Sequence, residues 1–279
     1  ETKKMTVPSQ QLIASLWRTN GLIPHTTSMT WKFWVDKQSA SESDNQANFL
    51  QNLQTQPDDW RYRTVHLVYK MNANYFRAND LASYDWDQSI MVIGSSEIFG
   101  VGLAEDEVLP AQLSKILGRP CINMSGIGTG NNIIQHNIDT LLTEVTPKAI
   151  VINWSPFDMW TYPHHQSDRW IQQYANPLGD NNYAPLYTPQ FKKDLESGYI
   201  TQTAFECIAH TNQLLTSKRI PFVQFAFFDI MSMPGYDRSL HGDFLQVEVV
   251  DRARNLVNPG ISTMQNIAAQ AATILKPAS

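Results

Sequence analysis

Ser89-Ile-Met-Val-Ile-Gly-Ser-Ser-Glu-Ile-Phe-Gly-Val-Gly-Leu103 is the stretch from which the rest of the chain can be read. The apolar run Ile90 to Ile93, bounded by Asp87 and Gly94, predicts a short buried strand. Gly94-Ser95-Ser96 makes the bend that follows. Residues 107–117 then predict a helix with Leu109, Leu113 and Ile116 on one face. A hydroxyl at the carboxyl end of a buried parallel strand stands where open α/β sheets place their ligands. The plainer alternative is that Ser95 and Ser96 turn the chain and cap it, as serines commonly do.

Downstream the same alternation repeats. Residues 119–125 predict a strand carrying Cys121, Ile122 and Met124, and Gly126-Ile-Gly-Thr-Gly130 follows it. Residues 131–145 predict a helix with Ile134, Ile138, Leu141 and Val145 on one face, ended by Pro147. Residues 149–153 read as another buried strand. Residues 160–198 read as an irregular insertion, rich in aromatics and prolines. A helix over 201–218, a strand over 221–228 and a closing helix over 262–275 complete the pattern. In the last, Met264, Ile267, Ala271 and Ile274 face inward. Alternating β and α elements imply a parallel sheet covered on both faces. The expected fold class is α/β, a three-layer α/β/α sandwich around a central, mostly parallel sheet. It should occupy residues 89–279, interrupted by an insertion at about 159–200.

Upstream, residues 1–88 form an extension expected to pack on that domain. Residues 10–19 predict a helix stopped by Asn20-Gly21 and Pro24. Residues 39–56 are polar with a modest helical pattern (Ala47, Leu50, Leu53). Residues 60–69 alternate, with Tyr62, Val65, Leu67 and Tyr69 predicting a strand. Trp17, Trp31, Trp34, Trp60 and Trp86 concentrate here, as core or interface anchors do.

Composition narrows the function classes. The chain has 279 residues, 42% hydrophobic and 17% charged, with a net charge of −5. That balance, without a lysine/arginine cluster, argues against a nucleic-acid partner. No apolar run reaches the length of a membrane span. No secretory leader is read from Glu1 onward. Cys121 and Cys207 are too few for a disulfide framework and too far apart for a metal knuckle.

The glycine-bearing turn after the second strand also lacks phosphate-loop chemistry. Gly126-Ile-Gly-Thr-Gly130 does not have dinucleotide-loop spacing, and no lysine follows it. It offers backbone N–H groups at a helix start, suited to a developing oxyanion, or it is an ordinary βα turn.

The order of these pieces resembles the SGNH, or GDSL-type, serine hydrolases. The family's Gly-Asp-Ser block is similar to Gly94-Ser95-Ser96, and its continuation is similar to Phe99-Gly-Val-Gly-Leu103. Its second block is similar to Asn123-Met-Ser-Gly-Ile-Gly128. Tyr69-Lys-Met-Asn-Ala-Asn-Tyr-Phe-Arg77 looks like the lead-in found in a phage and environmental branch. The resemblance covers about residues 65–158 and 220–275. It implies an SGNH hydrolase-like, flavodoxin-like fold, with Ser96 as nucleophile and the N–H groups of Ser96 and Gly128 lining an oxyanion hole. It implies no cofactor and no metal.

Two blocks depart from the family. Where its third block carries an oxyanion-donating asparagine, this chain reads Ile152-Asn-Trp-Ser-Pro-Phe-Asp158. Asn153 is then either the third donor or a polar residue satisfied within the fold. Where the family carries Asp-x-x-His before the last helix, the turn Arg254-Asn-Leu-Val-Asn-Pro-Gly260 puts Asn255 and Asn258. An amide is not basic at neutral pH, so Asn258 cannot take the Ser96 proton. His241, with Asp237 and Asp243 nearby in sequence, is a candidate substitute base or else a loop histidine. His164-His165 sits in the insertion, without an acidic partner at metal-ligand spacing.

Two readings follow. One is a serine hydrolase acting on a small-molecule or carbohydrate ester, with its base weakened, relocated or removed. The other is a degenerate SGNH scaffold kept as a binding module, in a homo-oligomer or a virion assembly.

Overall fold

The computed structural model describes residues 46–65, 67, 69–72, 74, 76–163, 170–174 and 189–276. The helix expected over 10–19, the three earliest tryptophans and His164-His165 lie outside these residues. The described chain opens with α1 (Gln46–Thr55), the carboxyl half of the helix expected over 39–56. The strand expected over 60–69 is corrected: its described residues form a 3-10 turn at Arg61–Arg63 and irregular chain. Tyr62, Leu67 and Tyr69 are buried, and Val65 is half-buried. However, Arg63 donates to the carbonyls of Leu53, Gln56 and Pro57, folding the segment back on α1 instead of along a strand.

The sheet begins with β1 (Ile90–Ile93), followed by α2 (Ser96–Phe99) and α3 (Leu109–Leu117). The latter starts after Glu107, with Pro110 in its first turn, where a missing N–H costs nothing. Glu107 is taken up instead by Arg61 and by the N–H of Ala104. Then come β2 (Cys121–Asn123), α4 (Asn131–Leu141) and β3 (Ala149–Asn153). The insertion is more ordered than expected. β4 (Met159–Pro163) and β5 (Trp170–Tyr174) pair antiparallel, and α5 (Pro189–Glu196) follows. The long helix α6 (Tyr199–Lys218), β6 (Phe222–Phe225), the single turn α7 (Arg238–His241) and α8 (Ile261–Leu275) close the fold.

The four main strands run parallel in the order β2-β1-β3-β6. Because successive strand residues point to opposite faces, β1 feeds two cores. Ile90 and Val92 pack with Leu109 and Leu113 of α3 and with Met264, Ile267 and Ala271 of α8. Met91 and Ile93 pack with Ile134 and Ile138 of α4 and with Ile208 and Leu215 of α6. The result is an α/β/α arrangement of three layers. Full burial of one such apolar side chain contributes about 1.5–3 kcal/mol, so the unbroken apolar run of β1 holds both layers together.

Candidate active site

The carboxyl end of β1 delivers Gly94, Ser95 and Ser96 in succession. A Cβ on Gly94 would lie 2.8 Å from the Asn153 Cβ and 2.9 Å from the Ile98 Cγ1. Only glycine lets β3 and α2 close over this point. Ser95 is extended and fully buried, and its hydroxyl donates to the Met159 sulfur at 3.8 Å. Ser96 is the first residue of α2 and is partly exposed. Its N–H stands in the first turn, where helix geometry supplies no acceptor. Its hydroxyl donates to the Glu97 Oε2 at 3.4 Å. Burial pushes the Glu97 carboxyl above its usual range, partly offset by its own N–H and by the Ser96 and Ser95 hydroxyls.

Two asparagines flank α2. From β2, Asn123 Nδ2 donates to the Ile98 carbonyl at 3.2 Å, and its Oδ1 accepts the Ser125 N–H at 3.1 Å. From β3, Asn153 is equally buried, but among the described residues neither its Oδ1 nor its Nδ2 meets a partner. A buried amide without hydrogen bonds costs roughly 1–3 kcal/mol, so such groups are uncommon in folded proteins.

The far end of α2 is held by residues from the lead-in. Arg77, fully buried, donates from Nη1 to the carbonyls of Phe99 (3.1 Å) and Gly100 (2.9 Å) and from Nη2 to that of Leu103 (2.9 Å). Its guanidinium lies 4.7 Å from the centre of the Tyr69 ring, and the Tyr69 hydroxyl accepts the Gly102 N–H at 2.8 Å. Nothing in the sequence of the lead-in marks this role, because backbone carbonyls leave no mark on residue identity.

The turn after β2 is drawn to the same place. The Gly126 N–H donates to the Gly94 carbonyl at 3.2 Å, extending the ladder past the strand ends. Ile127 packs with Phe99, Val101 and Tyr69. The base of the turn is bolted to the chain after β3. Asn131 accepts the Ser155 N–H at 2.8 Å and donates to the Ser155 carbonyl at 2.9 Å, while the Ser155 hydroxyl donates to the Thr129 carbonyl at 2.6 Å. Gly130 and Asn132 donate to Thr161 of β4, which ties in the insertion. Asp158, in the same loop, has an unpartnered buried oxygen, and desolvation pushes its carboxyl up to about 6.

The turn before α8 meets the loop after α2. Arg254 N–H donates to the Gly102 carbonyl at 3.1 Å. Gly102 has a φ of +84°, and a Cβ there would sit 3.0 Å from the Arg254 nitrogen and 3.1 Å from that of Asn255. Helix α1 braces the turn from outside: Asn52 donates to the Arg254 carbonyl, and Phe49 lies under the Arg254 guanidinium. Asn255 and Asn258 are both buried. Asn255 Oδ1 accepts the N–H groups of Val257 (3.2 Å) and Asn258 (3.0 Å), so it shapes the turn. The Asn258 side chain makes no hydrogen bond among the described residues.

His241 has a different setting. It is buried at the end of α7, its Nδ1 accepts the Asp237 N–H at 2.8 Å, and its ring stacks with Phe205 and Tyr236. Its carbonyl accepts from Asn212 of α6 and from Gln224 of β6, at the opposite layer from the Asn255 turn. Burial lowers its pKa. No hydrogen bond links it to Ser96. Among the described residues no group of three or more His, Cys, Asp or Glu could hold a metal ion.

No family model matches the sequence, and no curated protein matches it. Several solved structures are similar. One is a protein described as lipolytic and of the G-D-S-L family from Desulfitobacterium hafniense, 12% identical over 67% of this chain and 99% of that one, with a TM-score of 0.32. An acetyl xylan esterase from the rumen bacterium Butyrivibrio proteoclasticus is 14% identical over 69% of this chain and 64% of that one, with a TM-score of 0.39. A GDSL-like protein from Bacteroides ovatus is 17% identical over 67% of this chain and 53% of that one, with a TM-score of 0.32. What the chain's own elements define is an α/β protein with a four-stranded parallel sheet, whose first strand ends on a serine-bearing turn.

Proposed function

We propose that the chain is a serine hydrolase of the SGNH type, acting on a small-molecule or carbohydrate ester through Ser96. The observation that carries this reading is convergence at the end of β1. The turn after β2 reaches Gly94 through Gly126, and the turn before α8 reaches the loop after α2 through Arg254 and Gly102. In this reading the Ser96 hydroxyl attacks the ester carbonyl. The N–H groups of Ser96 and Gly128 receive the oxyanion, and the unpaired Asn153 amide is the third donor. His241 takes no part, because its Nδ1 is engaged by the Asp237 N–H. With Asn255 and Asn258 in the family's acid and histidine positions, turnover is slow. Removing the histidine of a comparable triad costs on the order of a million-fold, with roughly a thousand-fold over water remaining.

The test is labelling with a fluorophosphonate probe, located by mass spectrometry, beside p-nitrophenyl acetate turnover. Label and turnover should survive Ser95→Ala and disappear in Ser96→Ala. A parent protein with neither would end the hydrolase reading.

One observation favours the second reading, a scaffold kept for binding or virion structure. Asn255 already has a structural task in its turn, which an inherited catalytic position need not have. Under that reading the fold binds its partner, and Ser96→Ala changes nothing.

A further inference from the structure

We infer that Glu97 is the general base that activates Ser96, an assignment that rests on the hydrolase reading above. Among the described residues, the Ser96 hydroxyl has one hydrogen bond, to the Glu97 Oε2 at 3.4 Å. That is long for an O–H···O contact, as nucleophile–base pairs commonly are before substrate binds. The two side chains come from adjacent residues in the first turn of α2, so the pairing needs no distant loop.

The surroundings suit a proton acceptor. Glu97 is desolvated, and the groups acting on its carboxyl are its own N–H and the hydroxyls of Ser96 and Ser95, with no charged side chain among them. Glu97 is half-buried, and a carboxylate that lacks a cationic partner and is partly desolvated accepts a proton more readily than a fully solvated one. The turn before α8 supplies only amides at 255 and 258, and Asn255 Oδ1 is committed to its own turn.

The chemistry balances with these groups alone. Ser96 Oγ bonds to the ester carbonyl carbon, the carbonyl π pair moves to its oxygen, and the Ser96 proton passes to Glu97. The carbonyl reforms as the alkoxy C–O bond breaks, and Glu97 returns the proton to the departing alcohol. Water then attacks the acyl-serine and gives its proton to Glu97. Collapse releases the carboxylic acid, and Glu97 reprotonates Ser96.

The experiment is a pH–rate profile on p-nitrophenyl acetate for the parent, Ser96→Ala, Glu97→Gln and Glu97→Asp, with thermal melts on each. The parent's Ser96-dependent rate should be lost as pH falls through the ionisation of Glu97 and level off above it. Glu97→Gln, close to isosteric, should lower the plateau by about 100-fold or more and abolish that limb. Glu97→Asp should keep a carboxylate limb at reduced rate. A folded Glu97→Gln with the parent's rate and limb would overturn the assignment while leaving Ser96 as nucleophile. If Glu97→Gln does not fold, Glu97→Asp decides: an unchanged rate and limb there also overturns it. Turnover indifferent to Ser96→Ala, or none in the parent, removes the hydrolase reading and this base with it.

Discussion

Arg77 and Gly100 are joined by a 2.9 Å hydrogen bond from a fully buried guanidinium to a backbone carbonyl. With the companion bonds to Phe99 and Leu103, it closes the carboxyl end of the helix whose first residue is Ser96. The lead-in is therefore part of the machinery that sets the serine, although it lies well before it in sequence. Arg77→Met should cost about 3 kcal/mol or more, because carbonyls that shared one charged donor lose it together. Arg77→Lys should recover little, since an ammonium cannot reproduce the guanidinium fork. Urea unfolding of both variants measures this, and midpoints equal to the parent's would refute it.

Gly94 is expected to be as intolerant for a steric reason. A methyl group at this position meets the Cβ of Asn153 and the Cγ1 of Ile98 below 3.0 Å. Gly94→Ala should lose about 1–3 kcal/mol by overpacking and should displace α2. Thermal denaturation gives the first quantity, and loss of Ser96 labelling in the folded fraction reports the second.

Asp158 makes stability depend on pH. Its folded-state pKa, about 6, lies above the ordinary carboxylate value near 3.9. Between these values the folded protein holds more protons than the unfolded chain, so stability falls as pH rises through this window. The loss is complete above about pH 6. After discounting for partial exposure it should amount to about 1–2 kcal/mol. His241 acts in the opposite sense: burial lowers its pKa, so its contribution is lost as pH falls below about 6.5. Comparing the parent with Asp158→Asn isolates the first effect. The variant should gain relative stability as pH rises from 4 to 7, and parallel stability curves would count against it.

Under the hydrolase reading, the turn before α8 should accept an aspartate at 255 and a histidine at 258. Aspartate at 255 can accept the same N–H groups of Val257 and Asn258 that the asparagine does, so Asn255→Asp should leave the turn intact. Among the described residues, Asn258 makes no side-chain hydrogen bond that a histidine would break. Asn255→Asp with Asn258→His should raise p-nitrophenyl acetate turnover by about 100-fold or more, and Asn258→His alone by less. A folded double variant no faster than its parent would show that the turn does not bring residue 258 to Ser96, and would favour the scaffold reading.

Much of the architecture was legible because it rests on local patterns. The apolar runs at 90–93 and 149–153 are strands, and of the helices over 131–141 and 261–275 only the carboxyl end of the first departs from what periodicity predicts by more than one residue. Where the pattern misled, a tertiary partner had intervened. At 60–69 the aromatic and aliphatic side chains of Tyr62, Leu67 and Tyr69 are buried, but Arg63 ties that segment to α1 instead of a strand. In the insertion, prolines and aromatics hid a hairpin whose β4 is anchored by Gly130 and Asn132.

The sequence by itself determined the layer order, since periods of two and 3.6 residues dictate which faces must be buried. It also determined which side chains cannot be bases, because an amide carries no basic lone pair wherever it sits. Only the tertiary structure decided which serine faces inward, that Glu97 lies against the Ser96 hydroxyl, and that His241 is enclosed by Phe205 and Tyr236. Those facts depend on where loops from separate strands meet, and on hydrogen bonds to backbone atoms that every residue carries alike.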